Sequence, residues 1–333
     1  MDALTAKMVP KCVGRYLIDV PSQMVLGINT KTFIDKVDIA SKPMARSLFD
    51  LEIKQREAEL REDHLDGKPQ QPTLKEIIPL EGLTGKIFNR SEYRSSNVLR
   101  VLELHSWKDN YSIKMLIGAR DMAYAVGDES DIHDKRKTTV PEKLAILLKM
   151  FSNIRGRADA EIPTEQGVCF ANGFMRGPAG SGEDLGMSYM LRDQTDVYLH
   201  IESDSGIRES TTLLDRSREI NAMVKVSEGR TIRKGKRSSN GIDFEEWLIA
   251  GNTDEPVGFG GYVKGHFFTS EANSKIGSAK TPLLNIDLHN GQRPDQPDDA
   301  EYSEITKASL SEPEAITLWD AIMRTLRPRP GAF

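Results

Sequence analysis

Short apolar runs separated by turn residues dominate the chain, and a few longer stretches place apolar residues every three or four positions. The first pattern predicts strands and the second helices. In the first half, strands are expected over Met24–Asn29, Phe33–Ala40, Glu76–Leu80, Gly85–Asn89, Val98–Ser106 and Tyr111–Gly118, with Trp107-Lys108-Asp109-Asn110-Tyr111 as a hairpin tip. A helix is expected from Pro43, because proline's fixed φ suits a first helical turn and Met44, Leu48 and Leu51 share one face. Its continuation, Glu52 to Asp66, is nearly all charged, with Glu52/Arg56 and Glu57/Arg61 spaced for ion pairs, and is expected to be a solvated helix end. In the second half, strands are expected over Leu185–Leu191, Val197–Glu202, Thr231–Arg237, Phe244–Ala250, Tyr262–Ser270 and Leu283–Leu288. Ser210–Val226 predicts a helix capped by Ser210, with Leu213, Ile220 and Val224 on one face.

The two halves follow one plan. Pro141-Glu142 opens a helical segment ending in Arg155-Gly156-Arg157, and Pro313-Glu314 opens another ending in Arg327-Pro328-Arg329. Aligned without gaps, the Pro, the Glu and both arginines coincide, as do the apolar pairs Leu144/Ile316, Leu147/Trp319, Met150/Ile322 and Ile154/Leu326. Cys12 to Pro21 likewise resembles Cys169 to Pro178. Each copy opens with a cysteine-bearing strand and closes with a helix. Consecutive strands joined by short turns imply antiparallel pairing. The expected class is therefore α+β: two tandem domains of similar topology, each a mainly antiparallel sheet packed with helices, at residues 1–157 and 168–333 with a linker at 158–167. Trp319 shares a face with Ile316 and Met323 and is expected in the core; Trp247, on a strand, suits either the core or an interface, with the core preferred because a half-buried sheet has one apolar face.

Composition narrows the possible functions. The 333 residues are 38% hydrophobic, enough for packed cores, and the net charge of -5 is spread through the chain, which disfavours nucleic acid as a partner. No apolar stretch is long enough to span a membrane. Met1 to Lys11 has no apolar run of the signal-peptide kind, which leaves the compartment open. Two cysteines are too few for a disulfide scaffold. A Cys12–Cys169 bond would need Cα atoms within about 7 Å, which repeat-equivalent positions rarely meet, so each is expected to be a small buried hydrophobe.

Motifs for catalysis are missing. No GxSxG, HExxH or GxxxxGK[ST] occurs. Gly180-Ser181-Gly182 reads as a turn, and Gly258-Phe259-Gly260-Gly261 as the bulged entrance to a strand. The histidines His64, His105, His133, His200, His266 and His289 are scattered. A site from His105, His200 and His289 would draw on both domains, so no metal site is expected. Glu245 and Glu246 point to opposite faces of a strand and cannot form one acid–base pair. Asp295 to Glu301 is expected to be a solvated acidic loop. No catalytic, cofactor-binding or metal-binding residue is assigned, no cofactor is expected, and the residues of any partner interface stay unassigned.

Four segments carry a resemblance: Cys12 to Pro21; Gly167-Val168-Cys169-Phe170-Ala171-Asn172-Gly173-Phe174; Glu245-Glu246-Trp247-Leu248; and Leu310 to Asp320 with Arg327-Pro328-Arg329-Pro330. Together they resemble the two-domain immunity proteins that neutralise lipase effectors of the bacterial type VI secretion system. The resemblance implies a periplasmic protein that is not an enzyme. It would bind a phospholipase effector of α/β-hydrolase type, clamp it between two domains, and bind neither nucleic acid nor membrane as an integral protein. A small-ligand or lipid-binding periplasmic protein is the alternative, and it would need a well-formed apolar pocket.

Overall fold

The computed structural model describes residues 2–66, 68–124, 137–258, 260–294 and 304–333. His133, Phe259 and Asp295–Glu301 lie outside them. By contact, the chain divides into two compact units. The first holds Met1–Thr32, Asp159–Ala171 and Gly177–Phe333; the second holds Phe33–Ala158 and Asn172–Arg176. Residues 1–32, which the sequence places with the first half, thus group with the second half, and so do most of the residues read as a linker.

In chain order, a short helix α1 (Asp2–Thr5) precedes β1 (Met8–Val13), β2 (Tyr16–Pro21) and β3 (Met24–Leu26). The chain then runs through β4 (Lys31–Ile34) and β5 (Val37–Pro43) into helix α2 (Arg46–Glu62), followed by the small ribbon β6 (His64–Leu65) and β7 (Lys68–Pro72). Next come β8 (Leu74–Pro79), β9 (Thr84–Ser91), β10 (Leu99–Lys108), β11 (Tyr111–Arg120), helix α3 (Val140–Phe151) and β12 (Ile154–Gly156). Strands β5, β11, β10, β9 and β8 pair in that order, all antiparallel, to form the sheet of the second unit. The hairpin tip falls where expected: Lys108 pairs with Tyr111 across Asp109 and Asn110 at φ 51° and 65°, the geometry of a type I′ turn. The same device at Asp35 and Lys36, with φ 49° and 68°, divides the expected Phe33–Ala40 strand in two.

Helix α2 departs from expectation in start and register. Pro43 is still paired with Tyr111 in the sheet, so the helix begins at Arg46. Its buried residues are Phe49, Ile53 and Leu60, packed with Met44, Leu74 and Phe88, whereas Leu48 and Leu51 face solvent. Arg61 pairs with Glu57 as spaced, but Arg56 turns inward to Glu103, and Glu52 meets Lys42. Glu103 is fully buried and accepts hydrogen bonds from Arg56, Arg90 and His105 at 2.9, 2.6 and 2.7 Å. Burial alone would raise its pKa; these three donors outweigh that and hold the carboxyl far below the usual range.

The chain continues through β13 (Gly167–Phe170), β14 (Gly173–Arg176), β15 (Glu183–Leu191) and β16 (Gln194–Asp204) to helix α4 (Ser217–Val226). Ser210 does not cap α4; a 3₁₀ turn, Leu214–Arg216, precedes it. Strands β17 (Arg230–Ser239), β18 (Ile242–Val257), β19 (Gly261–Ala272) and β20 (Leu283–Asn290), helix α5 (Glu312–Met323) and β21 (Arg327–Pro328) complete the chain. The antiparallel order β17-β18-β19-β20-β16-β15, with β3 on β15, is the main sheet of the first unit. Helix α5 starts with a capping box from Ser311 and Glu314 and has Pro313 in its first turn. It buries Leu318, Trp319 and Ile322 against Leu199, Leu248, Phe268 and Leu288. Trp319 is fully buried as expected, its Nε1 donating to Glu246 at 2.9 Å. Trp247 is also fully buried, on the opposite face, with Lys234 Nζ 3.9 Å from its ring centroid.

The duplicated ends are exchanged. Strand β21, which closes the second copy, pairs with β2 of the first: Arg327 opposite Leu17 and Pro328 opposite Tyr16. Strand β12, which closes the first copy, pairs with β14 of the second: Arg155 opposite Phe174 and Gly156 opposite Gly173. The exchange overturns the expectation for the cysteines. Cys12 and Cys169 form a disulfide with a Cα–Cα distance of 5.8 Å. Gly14 and Cys169 exchange backbone hydrogen bonds at 2.9 and 2.8 Å, so the two cysteine-bearing strands run side by side within the first unit. Matching positions in a repeat lie apart only when each copy folds on itself. The buried Arg15 guanidinium fixes the same region, binding Glu183 at 2.9 and 2.6 Å and the carbonyl of Pro178 at 2.8 Å.

Candidate partner-binding surfaces

Among the described residues, those weighed as catalytic are not brought together into one site. His105 lies in the second unit, bonded to Glu103, while His200 and His289 lie in the first, on adjacent strands. Among the described residues no group of three His, Cys, Asp or Glu is arranged to hold a metal ion. Glu245 and Glu246 separate as alternation requires: Glu245 accepts from the Leu214 amide at 2.8 Å, whereas Glu246 faces α5 and binds Arg233 and Arg237.

A broad basin of about 1090 Å³ marks the first unit. Tyr16, Phe244 and Phe333 line it, and Tyr16 and Phe333 meet edge to face at 5.8 Å. Burial pushes the Tyr16 phenol up to about 12, so it stays protonated. Lys236, Arg237, Lys275 and Lys280 border the basin with Asp243, Glu245 and Glu271. Ile276, half exposed at 52%, stands among them. Aromatic anchors beneath a charged rim are the composition of a protein-binding surface. In the second unit, α2 presents Leu48 and Leu51, neighbours at i,i+3, with Leu51 61% exposed. The basin's lining comes from segments distant in sequence, so no local pattern marks it as a surface.

Matches to two family domains over nearly the whole chain place it among two-domain immunity proteins. More particularly, it belongs to the Tle cognate immunity protein 4 family, matching that family's N-terminal domain over residues 9–157 and its C-terminal domain over residues 161–331. Comparison with curated protein sequences finds no match. Among solved structures, a chain of the Tle4–Tli4 complex is similar, with TM-score 0.72, 20% identity and 100% of both chains covered. The apo immunity protein TplEi of the type VI secretion system from Pseudomonas aeruginosa matches with TM-score 0.69 and 21% identity over 98% of each chain. TplEi complexed with "L" peptide matches with TM-score 0.65 and 22% identity, covering 97% of this chain and 98% of that one. At these identities the solved structures establish a common fold.

Proposed function

We propose that the chain neutralises a type VI secretion lipase effector of α/β-hydrolase type by binding it, not by catalysis, and that both units contribute contacts to one effector. The observation that carries this is the match of both family domains, which together span nearly the whole chain. The relative in the Tle4–Tli4 complex covers this chain end to end, which supports an effector as the partner. Each unit also offers an exposed apolar element suited to contact: Ile276 at the basin of the first and Leu51 on α2 of the second. A stable interface needs roughly 1,200–2,000 Å² in total, and two surfaces reach it more readily than one. The buried Cys12–Cys169 disulfide supports a periplasmic location, because such bonds persist in oxidising compartments.

The test is hydrolysis of phospholipid vesicles by the cognate lipase effector, titrated with the full chain and with Ile276→Asp and Leu51→Asp. Stoichiometric inhibition by the native chain is expected, and each variant should need at least tenfold more protein. If only one variant weakens inhibition, the two-unit grip is wrong. Fatty acid released from vesicles by this chain alone would overturn the non-enzymatic role.

A further inference from the structure

Helix α4 is strongly amphipathic in sequence, yet only Val224 on it is buried. Beneath it lies a groove of about 470 Å³, walled on one side by Ile220, Met223 and Val224 and on the other by Ile249 and Phe267 of the sheet. That volume falls within the range of small-molecule sites, and apolar walls with a few polar groups are their usual chemistry. The floor strands β18, β19 and β20 are each hydrogen-bonded on both sides, so the floor offers no strand edge to a bound polypeptide. An occupant without main-chain polar groups fits better. Two charged residues reach the lining, Asp254, which is exposed, and Arg216. Arg216 is neutralised by Glu271, and His266 accepts a hydrogen bond from Asn290. His289 is sandwiched between Tyr198, stacked at 4.3 Å, and Phe267 at 4.9 Å. Burial lowers both imidazoles, His289 to about 4, so neither is charged at neutral pH. The apolar walls complement an apolar chain.

We infer that the groove between α4 and the sheet of the first unit binds the acyl chain of a single fatty acid. The inference does not depend on the immunity function, since it concerns a ligand bound by this chain alone. It is tested by titrating the full chain, without effector, with octanoate, dodecanoate and hexadecanoate below their micellar concentrations, beside Ile220→Trp, which fills the groove. One-to-one saturable binding is expected. Affinity should tighten by up to roughly fourfold per added methylene until the groove is full. Ile220→Trp should weaken dodecanoate at least tenfold while its melting temperature stays that of the native chain. A second substitution, Phe267→Ser, acts from the sheet side and should weaken binding likewise. No saturable binding of any of the three acids by the native chain overturns the inference. So does binding that neither folded variant changes. Loss of effector inhibition by Ile220→Trp, with no fatty-acid binding by the native chain, would also overturn it and assign the groove to the effector.

Discussion

Arg157 and Arg329 occupy the same place in the two copies. Each is fully buried, and each donates its backbone amide to the carbonyl just before the second strand of an opening hairpin: Arg157 to Asn172 at 3.0 Å and Arg329 to Arg15 at 2.9 Å. The Arg329 guanidinium also donates to the carbonyls of Pro163, Glu165 and Gly167 at 2.6, 2.9 and 2.5 Å. The guanidinium presents five donors spread over a rigid fork, where an ammonium has three on a single nitrogen. Arg329→Ala should therefore cost about 3–5 kcal/mol, because buried acceptors lose their donor, and Arg329→Lys should recover only part of it. Urea unfolding of both variants checks this.

Trp319→Ala should lose about 3–5 kcal/mol through the cavity left in the core of the first unit. Trp319→Phe removes the hydrogen bond to Glu246 and only part of the ring volume, and Glu246 keeps Arg233 and Arg237 as partners, so its loss should be clearly smaller. A melting midpoint unchanged in Trp319→Ala would contradict the packing described.

The disulfide spans 157 residues of sequence. By the chain-entropy account a loop of this length contributes about 4–5 kcal/mol by restricting the unfolded chain. The double variant Cys12→Ser/Cys169→Ser should unfold at lower denaturant yet keep its native circular dichroism, because the Gly14–Cys169 backbone bonds do not need the sulfur link.

Two buried groups in the first unit should give stability opposite slopes with pH. Burial pushes the Asp287 carboxyl up from 3.8 to about 6. Its contribution is therefore complete below 3.8 and lost as the pH rises through 6. His289, lowered from 6.5 to about 4, leaves the unfolded chain binding more protons between those values, so its contribution is lost on acidification across that window. Asp287→Asn should be more stable than the native chain above pH 6, with the advantage shrinking toward pH 4. His289→Gln should flatten the acid limb between 6.5 and 4. Urea midpoints from pH 4 to 8 separate the two.

Much of the sheet could be read from the chain because its strands are locally coded: Lys108 to Tyr111 carries its own turn, and Val98 to Ser106 its own branched run. The register of helix α2 is not legible locally, because its buried stripe of Phe49, Ile53 and Leu60 is interrupted by Arg56, whose inward turn depends on Glu103 in a distant strand. The cysteine pairing is hidden for the same reason: repeat symmetry is visible in sequence, but which copy's hairpin pairs with which closing strand is a long-range choice. The basin joins Tyr16, the β17–β18 hairpin, residues 273–281 and Phe333, and no local pattern announces such an assembly.

The exchanged ends also constrain how the chain is made. Residues 12–17 leave the ribosome long before Arg327 and Pro328, so β2 finds β21 only after the whole intervening chain has been made. Nor can the first copy finish alone, since β12 waits for β14. Neither copy closes until a strand of the other has been made. The closing strands act as latches, and Cys12 meets Cys169 only after the whole intervening segment has been synthesised.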